Sequence, residues 1–147
     1  MKEKEFPSNN NPLVCIEEAR VRFNETDPLG IVWHGHYIVY FEDGREAFGR
    51  QHGLTYLDIQ NSGFTTPIVK TSTEHYLPLK YGETFSIETT YINSTAAKLI
   101  YQYRIFNEDQ KLVCKGETTQ VFLDGDGNLC LYAPEFFQNW KEKMGLV

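Results

Sequence analysis

An α+β fold, with one curved antiparallel sheet wrapped around one long helix, is what this sequence predicts. Three observations predict it. Apolar residues recur near helical spacing in one long stretch only, where Tyr37, Ile38, Tyr40, Phe41, Gly44, Ala47 and Phe48 form a broad apolar face. The stretches from Thr65 to Leu123 alternate apolar and polar residues between turn signals, as half-buried strands do. The order is strand, long helix, four strands and a short terminal helix, which suits one sheet packed on one helix.

In chain order, residues 1–12 are polar, with Pro7, Pro12 and Asn9 to Asn11, and read as a disordered lead-in to a single domain spanning 13–147. Leu13 to Phe23 reads as a strand whose alternation falters at Glu17-Glu18-Ala19, consistent with a bulge or a late start. A polar turn, Asn24-Glu25-Thr26-Asp27-Pro28, leads into Gly30-Ile31-Val32-Trp33 and then a helix beginning near His34-Gly35-His36-Tyr37. Glu42, Asp43, Arg45, Glu46 and Arg50 are its more polar positions, and Gly44 lets a sheet approach closely at about 1 kcal/mol of helix propensity relative to Ala. His52-Gly53 is a stop with Gly suited to a left-handed C′ position. Leu54 to Gln60 suits a second short helical turn, before the loop Asn61-Ser62-Gly63.

Four strands are then expected over Thr65–Tyr76, Thr84–Ile92, Lys98–Phe106 and Leu112–Leu123. Phe85, Ile87, Thr89 and Tyr91 share one face of the second, and Leu99, Tyr101, Tyr103 and Ile105 one face of the third. Asn107 to Gln110 makes a hairpin turn. Asp124-Gly125-Asp126-Gly127-Asn128 has the odd spacing of a calcium loop, but Leu129 stands where an EF-hand needs its Gly, so a turn is expected. Pro134 opens a last helix with an apolar stripe of Phe136, Phe137, Trp140 and Met144.

Composition narrows the function classes. The chain has 147 residues, 41% hydrophobic and 14% aromatic, which suits a globular domain. No apolar run approaches the roughly 20 residues that span a bilayer, and the N-terminus lacks the apolar core of a signal peptide, so no membrane partner and a cytoplasmic location are the expectation. The net charge of −6 argues against nucleic acid and requires a local basic rim for any anionic ligand. Cys15, Cys114 and Cys130 are odd in number and widely spaced, which reads as three free thiols.

The chemistry concentrates between Arg22 and Arg50. A carboxylate on a turn, then a Gly, then a helix N-terminus places a base or nucleophile beside free N–H groups that polarise a carbonyl. Asp27-Pro28-Leu29-Gly30-Ile31-Val32-Trp33-His34, then Tyr37, then Tyr40-Phe41-Glu42 and Arg45, resembles the 4-hydroxybenzoyl-CoA thioesterase family of hotdog-fold enzymes. The resemblance implies the hotdog architecture and hydrolysis of an aryl- or medium-chain acyl-CoA thioester without a metal or other cofactor. It also implies Asp27 as nucleophile or general base and the backbone N–H of His34 as the oxyanion donor. Thr66-Pro67-Ile68-Val69 resembles the family's acyl-pocket segment; Thr66, Val32, Trp33, Tyr37 and Glu42 are therefore the candidate substrate-binding residues. His36 stands where the family often carries Asn.

Family members pair into homodimers or homotetramers with a site shared between subunits. The donor is coenzyme A or an acyl carrier protein, and the candidate phosphate-binding cations are Lys70, Lys80, Lys98, Arg104 and Lys115. Three other readings compete. His34 and His36 with Asp27 could ligate zinc, though nothing else in the sequence points to metal. A hydratase or dehydratase would need His34 or His36 paired with Glu42. A non-catalytic acyl-CoA-binding protein would have no need of Asp27.

Overall fold

The computed structural model of the protein describes residues 13–146; the expected lead-in at 1–12 lies outside the described residues. Five strands form one antiparallel sheet: β1 (Val14–Arg20), β2 (Ile68–His75), β3 (Thr84–Ile92), β4 (Lys98–Asn107) and β5 (Leu112–Val121). Their spatial order is β1-β3-β4-β5-β2, so β1 and β2 form the two edges. The long helix α1 (Tyr37–His52) and the short α2 (Tyr56–Asn61) carry the chain from one edge to the other, and α3 (Glu135–Lys143) closes the far end. This is the wrapped-helix α+β layout that the periodicities predict.

The helix is held by the faces that the sequence marked. Phe85, Ile87, Thr89 and Tyr91 of β3 and Leu99, Tyr101, Tyr103 and Ile105 of β4 are all buried. Phe41 stacks on Tyr103, with ring centroids 4.6 Å apart, and Phe48 meets Tyr101 edge-on at 5.3 Å. Two glycines set how close the layers come. A Cβ on Gly44 would collide with Thr89 Oγ1 and Ile87 Cγ2, and one on Gly116 of β5 would strike the Phe41 ring and the Ser72 carbonyl. Gly53 ends α1 in the left-handed conformation, φ 74°, and its N–H caps the Gly49 carbonyl. The terminal helix adds a second lock, because the Trp140 indole N–H donates to the His52 carbonyl at 2.7 Å.

Several boundaries differ from the sequence reading for local reasons. The first strand stops at Arg20, since the chain turns into a 3-10 turn at Phe23–Glu25. The long helix is entered through a 3-10 turn at His34–His36, and its regular part begins at Tyr37. Ile38 and Val39 are exposed, whereas Arg45, expected on the polar side, is buried against the sheet. Strand β2 is shorter than expected, with a register shift between Ile68 and Lys70, although Thr65 still bridges to Leu123. The Asp124 carboxylate accepts N–H groups from Asp126 and Asn128, each at 2.9 Å, so that run is a turn. All three cysteines are free, with Cys15 and Cys114 buried in their strands.

Gly44→Ala separates packing from helix propensity. Propensity alone favours Ala by about 1 kcal/mol, while overpacking at a close contact costs about 1–3 kcal/mol. The expected outcome is net destabilisation, read as a lower urea midpoint with an unchanged slope.

Candidate active site

The site begins with a turn. Asp27-Pro28-Leu29-Gly30 is a β-turn in which the Gly30 N–H donates to the Asp27 carbonyl at 2.9 Å, and Gly30 has φ 78°. Pro28 presets the second position, and the Leu29 N–H donates to Asp27 Oδ1 at 2.8 Å. Asp27 therefore does what Asp does in such turns, and only one of its two carboxylate oxygens is engaged among the described residues. On either side, Thr26 bridges to Val32 and the Asp27 N–H donates to the Ile31 carbonyl at 2.8 Å, closing a small hairpin.

That hairpin rests on a segment far away in sequence. The connection from β2 to β3 must cross the end of the sheet, and it passes directly beneath. Val32 N–H donates to the Leu79 carbonyl at 2.8 Å, Tyr81 N–H to the Gly30 carbonyl at 3.1 Å, and Ile31 bridges to Lys80. The helix start follows at once. Trp33 N–H donates back to the Glu25 carbonyl at 3.0 Å and His36 N–H to the Trp33 carbonyl at 2.8 Å. The N–H groups of His34 and Gly35, which precede any intrahelical acceptor, have no acceptor among the described residues. They lie in the 3-10 turn that leads into the positive end of α1.

The expected wall residues are distributed unequally. Val32 and Tyr37 are buried within the chain, and Tyr37 packs edge-on against His75 at 5.1 Å. Trp33 is 53% exposed and lies over the helix start, where its ring occupies the space that a Cβ on Gly35 would need. Phe23, Leu29 and Tyr81 are exposed around the same turn, and Phe23 meets Tyr81 edge-on at 6.0 Å. A cleft of about 760 Å³ opens between β1 and α1, with Arg22, Glu25, Tyr40 and Asp43 among its lining; neither Asp27 nor His34 lines it.

Glu42 and Thr66 are linked to each other through Tyr56 and Gln120. Tyr56 O–H donates to the Glu42 carboxylate at 2.9 Å. Gln120 Nε2 donates to the Thr66 carbonyl at 2.6 Å and lies 3.5 Å from the Tyr56 hydroxyl. Arg45 completes the set: its guanidinium stacks on Tyr56 at 3.6 Å and its Nε donates to Gln120 Oε1 at 3.1 Å. Burial pushes the Tyr56 hydroxyl up to about 12, so at neutral pH it remains a donor to Glu42.

Glu25 is the residue the sequence reading passed over. Its Oε1 accepts the Arg22 N–H at 2.8 Å and the Tyr40 O–H at 3.0 Å, and its Oε2 lies 3.0 Å from His36 Nε2. Burial and this carboxylate hold the Tyr40 hydroxyl above its usual value. Desolvation, with Glu25 nearby, raises the Asp43 carboxyl. The only sequence signal was an acidic residue three positions after the backbone N–H it binds, a capping-box spacing. His36 thus faces Glu25, and Glu42 faces Tyr56. The His–Glu42 pair that a hydratase would need is not formed within the chain. No cluster of three or more potential metal ligands occurs among the described residues.

The Arg45 network gives a stability test. In Gln120→Leu the side-chain volume is nearly kept, but Arg45 Nε and the Thr66 carbonyl lose their partner. Burying those groups unpaired is expected to cost about 2–3 kcal/mol, measured by urea unfolding.

Comparison with known proteins agrees with this architecture. YneP of Bacillus subtilis (strain 168) is 32% identical over 127 residues, 86% of this chain and 92% of that one. The acyl-CoA thioester hydrolase YbgC of Escherichia coli O6:H1 is 25% identical over 72% of this chain and 79% of its own. The crystal structure of a DHNA-CoA thioesterase from Staphylococcus aureus superposes with a TM-score of 0.79 at 25% identity, covering 90% of this chain and 92% of that one. The family model described as the thioesterase-like superfamily matches residues 21–141, from just after β1 through the Asp27 turn, α1 and strands β2 to β5 into α3, and the chain belongs to that superfamily.

Proposed function

We propose that the protein is an acyl-CoA thioesterase that hydrolyses an aryl- or medium-chain acyl thioester to the free acid and CoA. The observation that carries the reading is the pairing of one incompletely engaged carboxylate, Asp27, with two free N–H groups, His34 and Gly35, on one short hairpin-and-helix unit. Superfamily membership and the thioester hydrolases among its relatives support it.

Thioester hydrolysis requires a nucleophile at the carbonyl carbon and compensation for negative charge on the carbonyl oxygen. The free Oδ2 of Asp27 takes a proton from water, or attacks directly to give a mixed anhydride that water then opens; either route ends in carboxylic acid and CoA thiol. The oxyanion that forms is met by N–H donors already fixed by the fold, so no reorganisation is needed at the moment of reaction. Trp33 supplies exposed apolar wall, backed by the buried Val32 and Tyr37. Glu42 and Thr66, fixed by Tyr56 and Gln120, give the acyl pocket a polar side.

The active unit in this reading is a homo-oligomer, a dimer or a tetramer. Strand β2 is a sheet edge with nearly every residue exposed, including Ile68 and Val69, so a second copy can extend the sheet there. Of the candidate phosphate-binding cations, Arg104 pairs with Glu88 and Lys115 with Glu74. Lys70, Lys80 and Lys98 have no carboxylate partner among the described residues and are the ones left for the CoA phosphates.

Thiol release from benzoyl-, 4-hydroxybenzoyl-, hexanoyl- and octanoyl-CoA by wild type and Asp27→Asn tests the reading. Wild type turns over at least one thioester, and the variant loses about 10²–10⁴-fold, the contribution of a positioned base. Wild type that binds acyl-CoA without turnover would replace the reading by a sensor, and activity surviving in Asp27→Asn would transfer the role to Glu42. His34→Ala retains the backbone donor, so its kcat falls by much less than the roughly 100-fold that loss of an oxyanion donor costs.

A further inference from the structure

The Asp27 hairpin is attached to the body of the protein on two sides. On one side its own backbone bonds to Leu79 and Tyr81 lay it on the β2–β3 connection. On the other side it meets α1, and there the attachment runs through one residue. Glu25, two positions before Asp27, reaches Arg22 N–H and Tyr40 O–H with one carboxylate oxygen and His36 Nε2 with the other, while its carbonyl accepts the Trp33 N–H. The side chains of Glu25 and His36 are only 14% and 21% exposed, and the His36 ring packs edge-on against Tyr40 at 4.9 Å. Tyr40 in turn is seated in the core against Phe85, with centroids 4.6 Å apart.

We infer that Glu25 is a positioning residue for thioester hydrolysis: its carboxylate clamps the Asp27 turn to the N-cap and first turn of α1. This rests on the reading of Asp27 and the helix N-terminus given above. The reacting carboxylate precedes Trp33 in the chain and the carbonyl-polarising N–H groups follow it, and their separation must be fixed for both to engage one thioester. Backbone bonds to the β2–β3 connection locate the turn relative to the sheet. Glu25 locates it relative to the helix. Release of the clamp leaves the fold and the exposed apolar wall in place but loosens the distance on which catalysis depends, and a displacement near 1 Å at such a centre costs up to about 100-fold in rate. The loss therefore falls on kcat, not on KM.

Steady-state kinetics of Glu25→Ala, Glu25→Gln, Tyr40→Phe and Asp27→Asn, each in the full chain beside wild type, decide the point on the thioester that wild type hydrolyses fastest. Glu25→Ala is expected to lose about 10- to 100-fold in kcat with KM within about twofold. Glu25→Gln keeps the length and an acceptor oxygen for Arg22 N–H and Tyr40 O–H, and recovers most of the loss. Tyr40→Phe removes one arm of the clamp and lowers kcat in the same direction; combined with Glu25→Ala it adds little, because both act through one contact. Where Glu25→Ala does not fold, Tyr40→Phe alone decides by the same kcat criterion. Unchanged kcat in folded Glu25→Ala and Tyr40→Phe overturns the inference, as does a loss confined to KM. Asp27→Asn tells the two failures apart: inactive Asp27→Asn beside fully active Glu25→Ala sinks the clamp alone, whereas fully active Asp27→Asn sinks the catalytic reading and the clamp with it.

Discussion

The contact on which the structure depends is that of one helix lying on one sheet with almost no clearance. Gly44 on α1 and Gly116 on β5 remove the two side chains that would hold the layers apart, and Phe41 fills the space over Gly116 while stacking on Tyr103. Close packing of this kind is short-ranged, so it is either complete or lost. Once it is made, the helix axis, its rotation and the height of its N-terminus are fixed together. The position of the His34 and Gly35 N–H groups follows from a packing contact several turns away.

Sheet topology explains how the Asp27 hairpin is held despite its exposure. A sheet with β1 and β2 at opposite edges needs a connection that returns across its end, and residues 76–83 make it. That connection supplies carbonyl and N–H groups at a height where the hairpin between β1 and α1 can pair with them. Topology brings two irregular segments together, and each satisfies the other's backbone. The hotdog arrangement thereby joins the Asp27 turn and the start of the long helix in one hydrogen-bonded unit, with Asp27 itself partly exposed.

Arg45 shows a second use of the interior. Its guanidinium is buried, stacked on Tyr56 and joined to Gln120, which in turn fixes Thr66, while Tyr56 fixes Glu42. Polar groups so linked hold one another's orientation more firmly than isolated pairs.

The sequence by itself determined the fold class, the order of elements and the inner faces of β3 and β4, because period-2 and helical patterns are local records of which side is buried. It also marked the Asp27 turn, since Asp, Pro and Gly at those offsets leave the backbone little choice. Arg45 read only as one of the helix's more polar positions, because its partners, Tyr56 and Gln120, are 11 and 75 positions away and only packing brings them to it. Glu25 stayed hidden for the same reason: its links to His36 and Tyr40 form only when the turn folds back on the helix. Tertiary structure alone decided these, together with the β2–β3 connection beneath the turn, because long-range hydrogen bonds leave no periodic trace in a chain. A pattern records which side of an element is buried, and not what it is buried against.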